Sequence, residues 1–116
     1  MIKPASEFIA DVQQHINCIN PQQAKELLEN NDNVVVIDVR EPAEAQESKL
    51  SCSVNIPRGL LEMKVQNHCP NADTIILTHC GGGGRASLAT ARLLEMGYLN
   101  VYAITAKYDD VKKTLR

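Results

Sequence analysis

The run Val34-Val35-Val36-Ile37-Asp38-Val39 is β-branched and apolar on both faces of an extended chain. A strand of that pattern has to be covered on both sides, which is the condition of a central strand in a mostly parallel sheet. Thr74-Ile75-Ile76-Leu77-Thr78 has the same character. Around these two runs, helical and extended signals alternate. Residues 16–19 read as a short strand. Asn20-Pro21 then supplies an N-cap and a first-position proline for a helix over residues 22–29, which Asn30-Asn31-Asp32-Asn33 ends. Glu41-Pro42-Ala43-Glu44 opens a short helical turn, residues 53–56 form a weak strand, Pro57-Arg58-Gly59 a turn and residues 60–65 a helix. Residues 86–96 carry Ala89, Leu93 and Met96 on one helical side and stop at Gly97. Residues 101–104 supply another strand and residues 109–115 a polar helix. The alternation predicts an α/β fold, a central mostly parallel sheet flanked by helices on both faces.

At 116 residues and 44% hydrophobic content the chain can bury one core and is short for two ordinary domains. Residues 1–15 read as an appended amphipathic helix, with Phe8, Ile9, Val12 and Ile16 at helical spacing, which leaves residues 16–116 as the main domain. A net charge of −2 with scattered Lys and Arg leaves no footprint for nucleic acid. Without a long apolar stretch or an N-terminal leader, no membrane association is expected, and the cytoplasm is the expected location. Cys18, Cys52, Cys69 and Cys80 form no CxxC pair, and neither His15 with Cys18 nor His68 with Cys69 has zinc-site spacing. Neither a metal nor a cofactor is expected.

Chemistry concentrates in Cys80-Gly81-Gly82-Gly83-Gly84-Arg85, between the second apolar run and the helix that follows it. Glycines let successive N–H groups converge on one point. At a helix N-terminus such groups form an anion site, and a thiolate there is stabilised too. In parallel sheets, ligands bind outside the carboxyl ends of the strands. Asp38-Val39-Arg40 and the glycine loop both fall at strand ends, so Arg40 and Cys80 should emerge on one edge. A flexible turn with a buried thiol is the plainer reading, but ordering four glycines costs backbone entropy. Gly81, Gly83 and Ala86 fit a dinucleotide fingerprint, yet Ile104-Thr105-Ala106-Lys107 lacks the acidic residue expected after the next strand. No Lys-Ser or Lys-Thr follows the glycines, which excludes a P-loop. Phosphatase loops place five residues between cysteine and arginine. Here four separate Cys80 from Arg85, and Ala86 stands where the longer loop would carry its arginine. The shorter loop makes a smaller bowl, suited to one added sulfur atom.

With Asp38-Val39-Arg40-Glu41-Pro42 and Val54-Asn55-Ile56-Pro57, the loop resembles the single-domain rhodanese-like sulfurtransferases over roughly residues 17–111. The family's Cys-x-x-Gly-x-Arg maps onto Cys80 to Arg85, its D-V-R-E-P-x-E onto Asp38 to Glu44, and Gly97 to Tyr102 resembles its approach to the last strand. Two segments depart. Ser48 to Pro57 lacks both glycines and the histidine of the family's G-H-I-P-G-A-x-N-I-P, and Ile104-Thr105-Ala106-Lys107 replaces its L-x-G-G, with Val111 at the aromatic position that follows.

The resemblance implies the rhodanese-like fold. It also implies that Cys80 takes the outer sulfur of an anionic donor such as thiosulfate, carries it as a persulfide and passes it to cyanide or a thiol. That thiol would include one on a thioredoxin-like or other sulfur-accepting protein. The amides of Gly81, Gly82, Gly83 and Gly84 would hold the anion. Arg85 would reach the donor's sulfonate, with tying the loop to the sheet as its alternative role. Asp38 and Arg40 would brace the site, and Arg58 would add positive potential at its rim unless it is a solvated surface arginine. His79 should point to the opposite face from Cys80. Cys52 is either a second thiol for the persulfide or a small core residue. A sulfur carrier or partner-binding module with little turnover is the alternative function, and a cysteine-dependent phosphatase or arsenate reductase a more distant one. With no side chain between Cys80 and Arg85, the pocket mouth should stand open.

Overall fold

The two apolar runs lie side by side at the centre of one sheet, Val34 opposite Ile75 through Asp38 opposite His79. The computed structural model describes all residues, Met1–Arg116. Its strands are β1 (Asn17–Ile19), β2 (Val34–Asp38), β3 (Ser53–Asn55), β4 (Ile75–His79) and β5 (Asn100–Ile104), in the order β1-β5-β4-β2-β3 with every pair parallel. Parallel neighbours need crossovers. These are supplied by α2 (Pro21–Asn30), α3 (Pro42–Glu47), a 3-10 turn (Arg58–Leu60) leading into α4 (Leu61–His68), and α5 (Gly84–Met96), while α1 (Ala5–Gln13) and α6 (Tyr108–Leu115) lie at the two ends of the chain.

Period-2 alternation along the strands makes two cores. Ile37, Val39, Ile76, Val101 and Ala103 pack with Leu61 and Val65 of α4 and with Ala86, Ala89 and Leu93 of α5. Val36, Leu77 and Ile104 pack on the other face with Ala24 of α2 and Val111 of α6. Local signals start the helices where the sequence places them. Asn20 accepts from the Gln23 amide while Gln23 accepts from the Asn20 amide, a reciprocal cap ahead of Pro21. At α3, Glu44 Oε1 accepts from the Glu41 amide while the Glu44 amide donates to the Glu41 backbone carbonyl, with Pro42 at the first position.

The principal departure from the sequence reading is the start of α5, which begins at Gly84 rather than at Ala86. Gly83 takes a left-handed φ of 102° as the N-cap, and its carbonyl accepts from both the amide and the hydroxyl of Ser87. The irregular loop therefore shrinks to Gly81–Gly83, and Arg85 is helical. α1 lies along α5, where Ile9 abuts Gly84 and the Gln13 side-chain amide donates to Ser87 Oγ at 3.0 Å; Phe8 stays about half exposed. No helix is long and apolar enough to cross a membrane.

Ile37 is fully buried in the central strand. Ile37→Ala should cost about 2–5 kcal/mol in urea unfolding. Met63→Ala, at a residue that is 81% exposed, should stay within about 0.5 kcal/mol. Equal costs would contradict the two-sided burial of β2.

Candidate active site

Beyond the strands the ladder continues for one residue, with the Val39 amide donating to the His79 carbonyl at 3.0 Å and the Arg58 amide to the Val39 carbonyl at 3.1 Å. This brings the segments after β2, β3 and β4 to one edge of the sheet. Cys80 leaves that edge on the α5 side and joins the core there. Its Sγ accepts from the amides of Gly83 at 3.0 Å and Ala86 at 3.3 Å. First-turn amides of a helix have no intrahelical acceptor, and the one at Ala86 is directed to the sulfur. The amides of Gly81, Gly82, Gly84 and Arg85 donate to no protein acceptor. Two N–H groups thus converge on one sulfur, beside four others left free to meet a ligand.

The loop is clamped from the β5–α6 side. The Tyr108 amide donates to the Gly81 carbonyl at 2.9 Å. A Cβ on Gly83 would stand 3.0 Å from Thr105 Cα, so that position needs glycine for both its φ and its neighbour.

Asp38 and His79 face the other way. Arg40 grips both Asp38 oxygens through Nε and Nη2 at 2.8–3.2 Å, and Nη2 also donates to the Ser48 carbonyl. Its Cζ lies 3.9 Å from the centre of the Tyr108 ring. Asp38 is fully buried and Arg40 nearly so. Together they hold the exit from β2, and Arg40 ties it to the C-terminal end of α3 at Ser48. The His79 ring stacks on Tyr108 at 6.1 Å between centroids, away from the sulfur, and neither ring nitrogen has a hydrogen-bond partner. Burial pushes His79 down to about 4, against the pull of Asp38 and with the help of Arg40.

Arg85 is held by Glu44, at 2.7 Å to Oε1 and 3.3 Å to Oε2. That guanidinium, followed by the Glu41 amide, holds the Glu44 carboxyl down at about 2. A Cβ on Gly81 would stand 3.1 Å from Arg85 Nη2, so the guanidinium lies against the loop. The mouth is therefore open at Gly82, which is exposed with nothing within 4 Å of its missing Cβ, but closed over Cys80, which is 1% exposed. Arg85 fills the space beside Gly81, and Thr105 and Ile9 fill that beside Gly83 and Gly84.

Arg58 pairs with Glu62 at 3.0 Å, and Glu62 also meets Arg92 at 3.2 Å. Its side chain lines a cavity of about 210 Å³ between α1 and α5 with Phe8, Val12 and Leu88. Cys52 precedes β3 at the amino end of the sheet, level with Val35 by the register of Val36 with Ser53. That places it roughly 13 Å from Cys80 along the strand direction alone, out of reach for direct exchange. Glu44, Ala86, Thr105 and Tyr108 are the contributors that the sequence reading missed.

A family model described as rhodanese-like domain matches residues 20–114. A sulfurtransferase of Allochromatium vinosum is 25% identical over 83 residues, covering 72% of this chain and 76% of that protein. Among solved structures, a Rhodopseudomonas palustris protein of unknown function, described as a possible tyrosine phosphatase, superposes with a TM-score of 0.82 at 22% identity, covering 97% of this chain and 92% of its own. A thiosulfate sulfurtransferase of Pseudomonas aeruginosa superposes with a TM-score of 0.80 at 23% identity over 90% of this chain and 21% of that one. At these identities the two structures show the shared fold.

Gly83→Ala should destabilise by about 1–3 kcal/mol and slow alkylation of Cys80, whereas Gly82→Ala should change stability by less than about 1 kcal/mol. Matching losses in chemical denaturation would refute the assigned strain. His79 charges near 6.5 when free but near 4 in the fold, so the unfolded chain binds more protons between those values. Stability should then drop as pH falls from 6.5 to 4, by up to roughly 3 kcal/mol, and His79→Leu should flatten that slope in pH-dependent urea titrations. Glu44, ordinarily near 4.5 and held at about 2, adds a separate loss below that window in both proteins. An unchanged slope in the variant would exclude His79 as its source.

Proposed function

This chain belongs to the rhodanese-like domain family, and from that premise we propose that it is a sulfurtransferase carrying sulfane sulfur as a persulfide on Cys80. The observation that carries the reading is the pair of amides, from Gly83 and Ala86, directed at Sγ, beside four more loop amides without protein acceptors. They favour the thiolate that attacks and then the anionic persulfide that results.

With thiosulfate as donor, the Cys80 thiolate attacks the outer sulfur. A new S–S bond forms, the bond to the sulfonate sulfur breaks, and sulfite leaves with the electron pair. An acceptor thiolate or cyanide then attacks the terminal sulfur, the bond to Sγ breaks, and the Cys80 thiolate returns. The proposed role of Arg85 is to meet the sulfonate oxygens, which suit its planar fork. Asp38 and Arg40 support the edge, while the engagement of Arg58 by Glu62 favours the surface reading of that arginine. The burial of Cys80 is the observation that favours the second reading, a sulfur carrier with little turnover.

Incubation with thiosulfate should add one sulfur atom to the wild-type mass and none to Cys80→Ser. Sulfur gained independently of Cys80 would overturn the mechanism. Rapid loading with negligible transfer to cyanide would decide for the carrier. Aryl phosphate hydrolysis rivalling sulfur transfer would instead establish the phosphatase chemistry that the loop length argues against.

A further inference from the structure

We propose that Glu44 is an internal competitor for the anionic donor, a carboxylate that occupies Arg85 and must be displaced before an anion reaches Cys80. The identity of that donor rests on the sulfurtransferase reading; the competition itself does not.

Three arginines stand near this edge of the sheet, and they differ in availability. Arg40 is sealed against Asp38 and beneath Tyr108, and Arg58 is engaged by Glu62. Arg85 remains, lying against Gly81, the residue after the proposed nucleophile, with its side chain 38% exposed. Its partner is also at the surface, Glu44 being 39% exposed, and ion pairs of that exposure exchange readily. Glu44 is nevertheless held in place. Its Oε1 accepts from the Glu41 amide at 3.0 Å as the third residue of α3, which Pro42 starts and which follows directly on the Asp38–Arg40 clamp. The carboxylate therefore presents itself to the guanidinium as a donor's sulfonate would, two oxygens to a planar fork.

The consequence is selection by charge. Glu44 stays ionised at neutral pH and offers an arriving anion both repulsion and a rival for Arg85. A group with several anionic oxygens can take Arg85 and the unpartnered loop amides together, compensating for the lost carboxylate. A single weak anion gains little from the exchange. A neutral reagent reaches the sulfur without disturbing the pair electrostatically.

Alkylation of Cys80 reads this directly, because iodoacetate and iodoacetamide share a leaving group and differ in charge. Glu44→Gln keeps an oxygen for the Glu41 amide while removing the charge. At neutral pH and low salt, the rate with iodoacetate relative to iodoacetamide should rise roughly tenfold in Glu44→Gln, and salt should shrink the difference. Glu44→Ala, which gives up the cap as well, should show the same change in ratio whatever its stability. The KM for thiosulfate should fall in Glu44→Gln with kcat little altered. Equal acceleration by both reagents would mean that Glu44 merely packs the loop, and an unchanged ratio would mean that it does not compete; either overturns the proposal. A shifted ratio in a protein that thiosulfate does not load would uphold the competition and refute the sulfurtransferase reading. Loading with an unshifted ratio would do the reverse.

Discussion

Two amide donors converging on one sulfur set the terms for the rest of this structure. For Gly83 and Ala86 to reach Sγ together, β4 must deliver Cys80 to the mouth of α5, and the chain must turn into that helix within three residues. Gly83 makes the turn as a left-handed N-cap, and Thr105 lies too close there for a side chain. The parallel arrangement is what makes this possible. It collects strand ends and helix starts on a single edge, so that orphan amides from one element meet a cysteine sulfur from the preceding one.

The same strand end divides the chemistry between the two faces. Cys80 turns into the core beneath α5, while His79 and Asp38 turn toward α6. On that second face, the Asp38–Arg40 pair, the Ser48 carbonyl and the Tyr108 ring form one polar plug. A buried pair of this kind contributes little net stability as a pair, but removing one partner leaves an uncompensated charge, commonly at a cost of about 3–5 kcal/mol. Its effect here is positional. The plug fixes the exit from β2, the exit fixes α3, and α3 carries Glu44 to Arg85. A clamp on one side of the sheet thus sets the electrostatics on the other.

What could be read from the chain without its fold follows the range of the signals. The central strands were legible because two-faced apolar character is a local property, and α2 and α3 because caps and prolines are local as well. Cys80 was legible because loop length is a count. The start of α5 was not, since the apolar period begins at Ala86 and nothing in a glycine declares the sign of its φ. Glu44 with Arg85 and Tyr108 with Gly81 lie 41 and 27 residues apart in the chain, and only tertiary structure joins them. Arg58 is a different case. Its partner Glu62 lies four residues on, within reach of an ordinary helical-spacing argument, so its ion pair was readable. The remoteness of Cys52 likewise follows once the strands are taken as parallel, because residues entering a strand and residues leaving one occupy opposite edges.

The burial of Cys80 bears on how the proposed chemistry would proceed. A thiol that is 1% exposed is a poor target for a bulky acceptor. A persulfide changes the geometry, because one S–S bond moves the reactive atom outward by about 2 Å. The loop offers an opening at Gly82, where no side chain stands in the way. Sulfur would then enter as part of a small donor able to reach Sγ and leave from an atom already nearer the surface. In the proposed cycle the glycine loop would then serve the second half-reaction as much as the first: its amides would hold the outgoing sulfur, and its missing side chain would let an acceptor thiol approach.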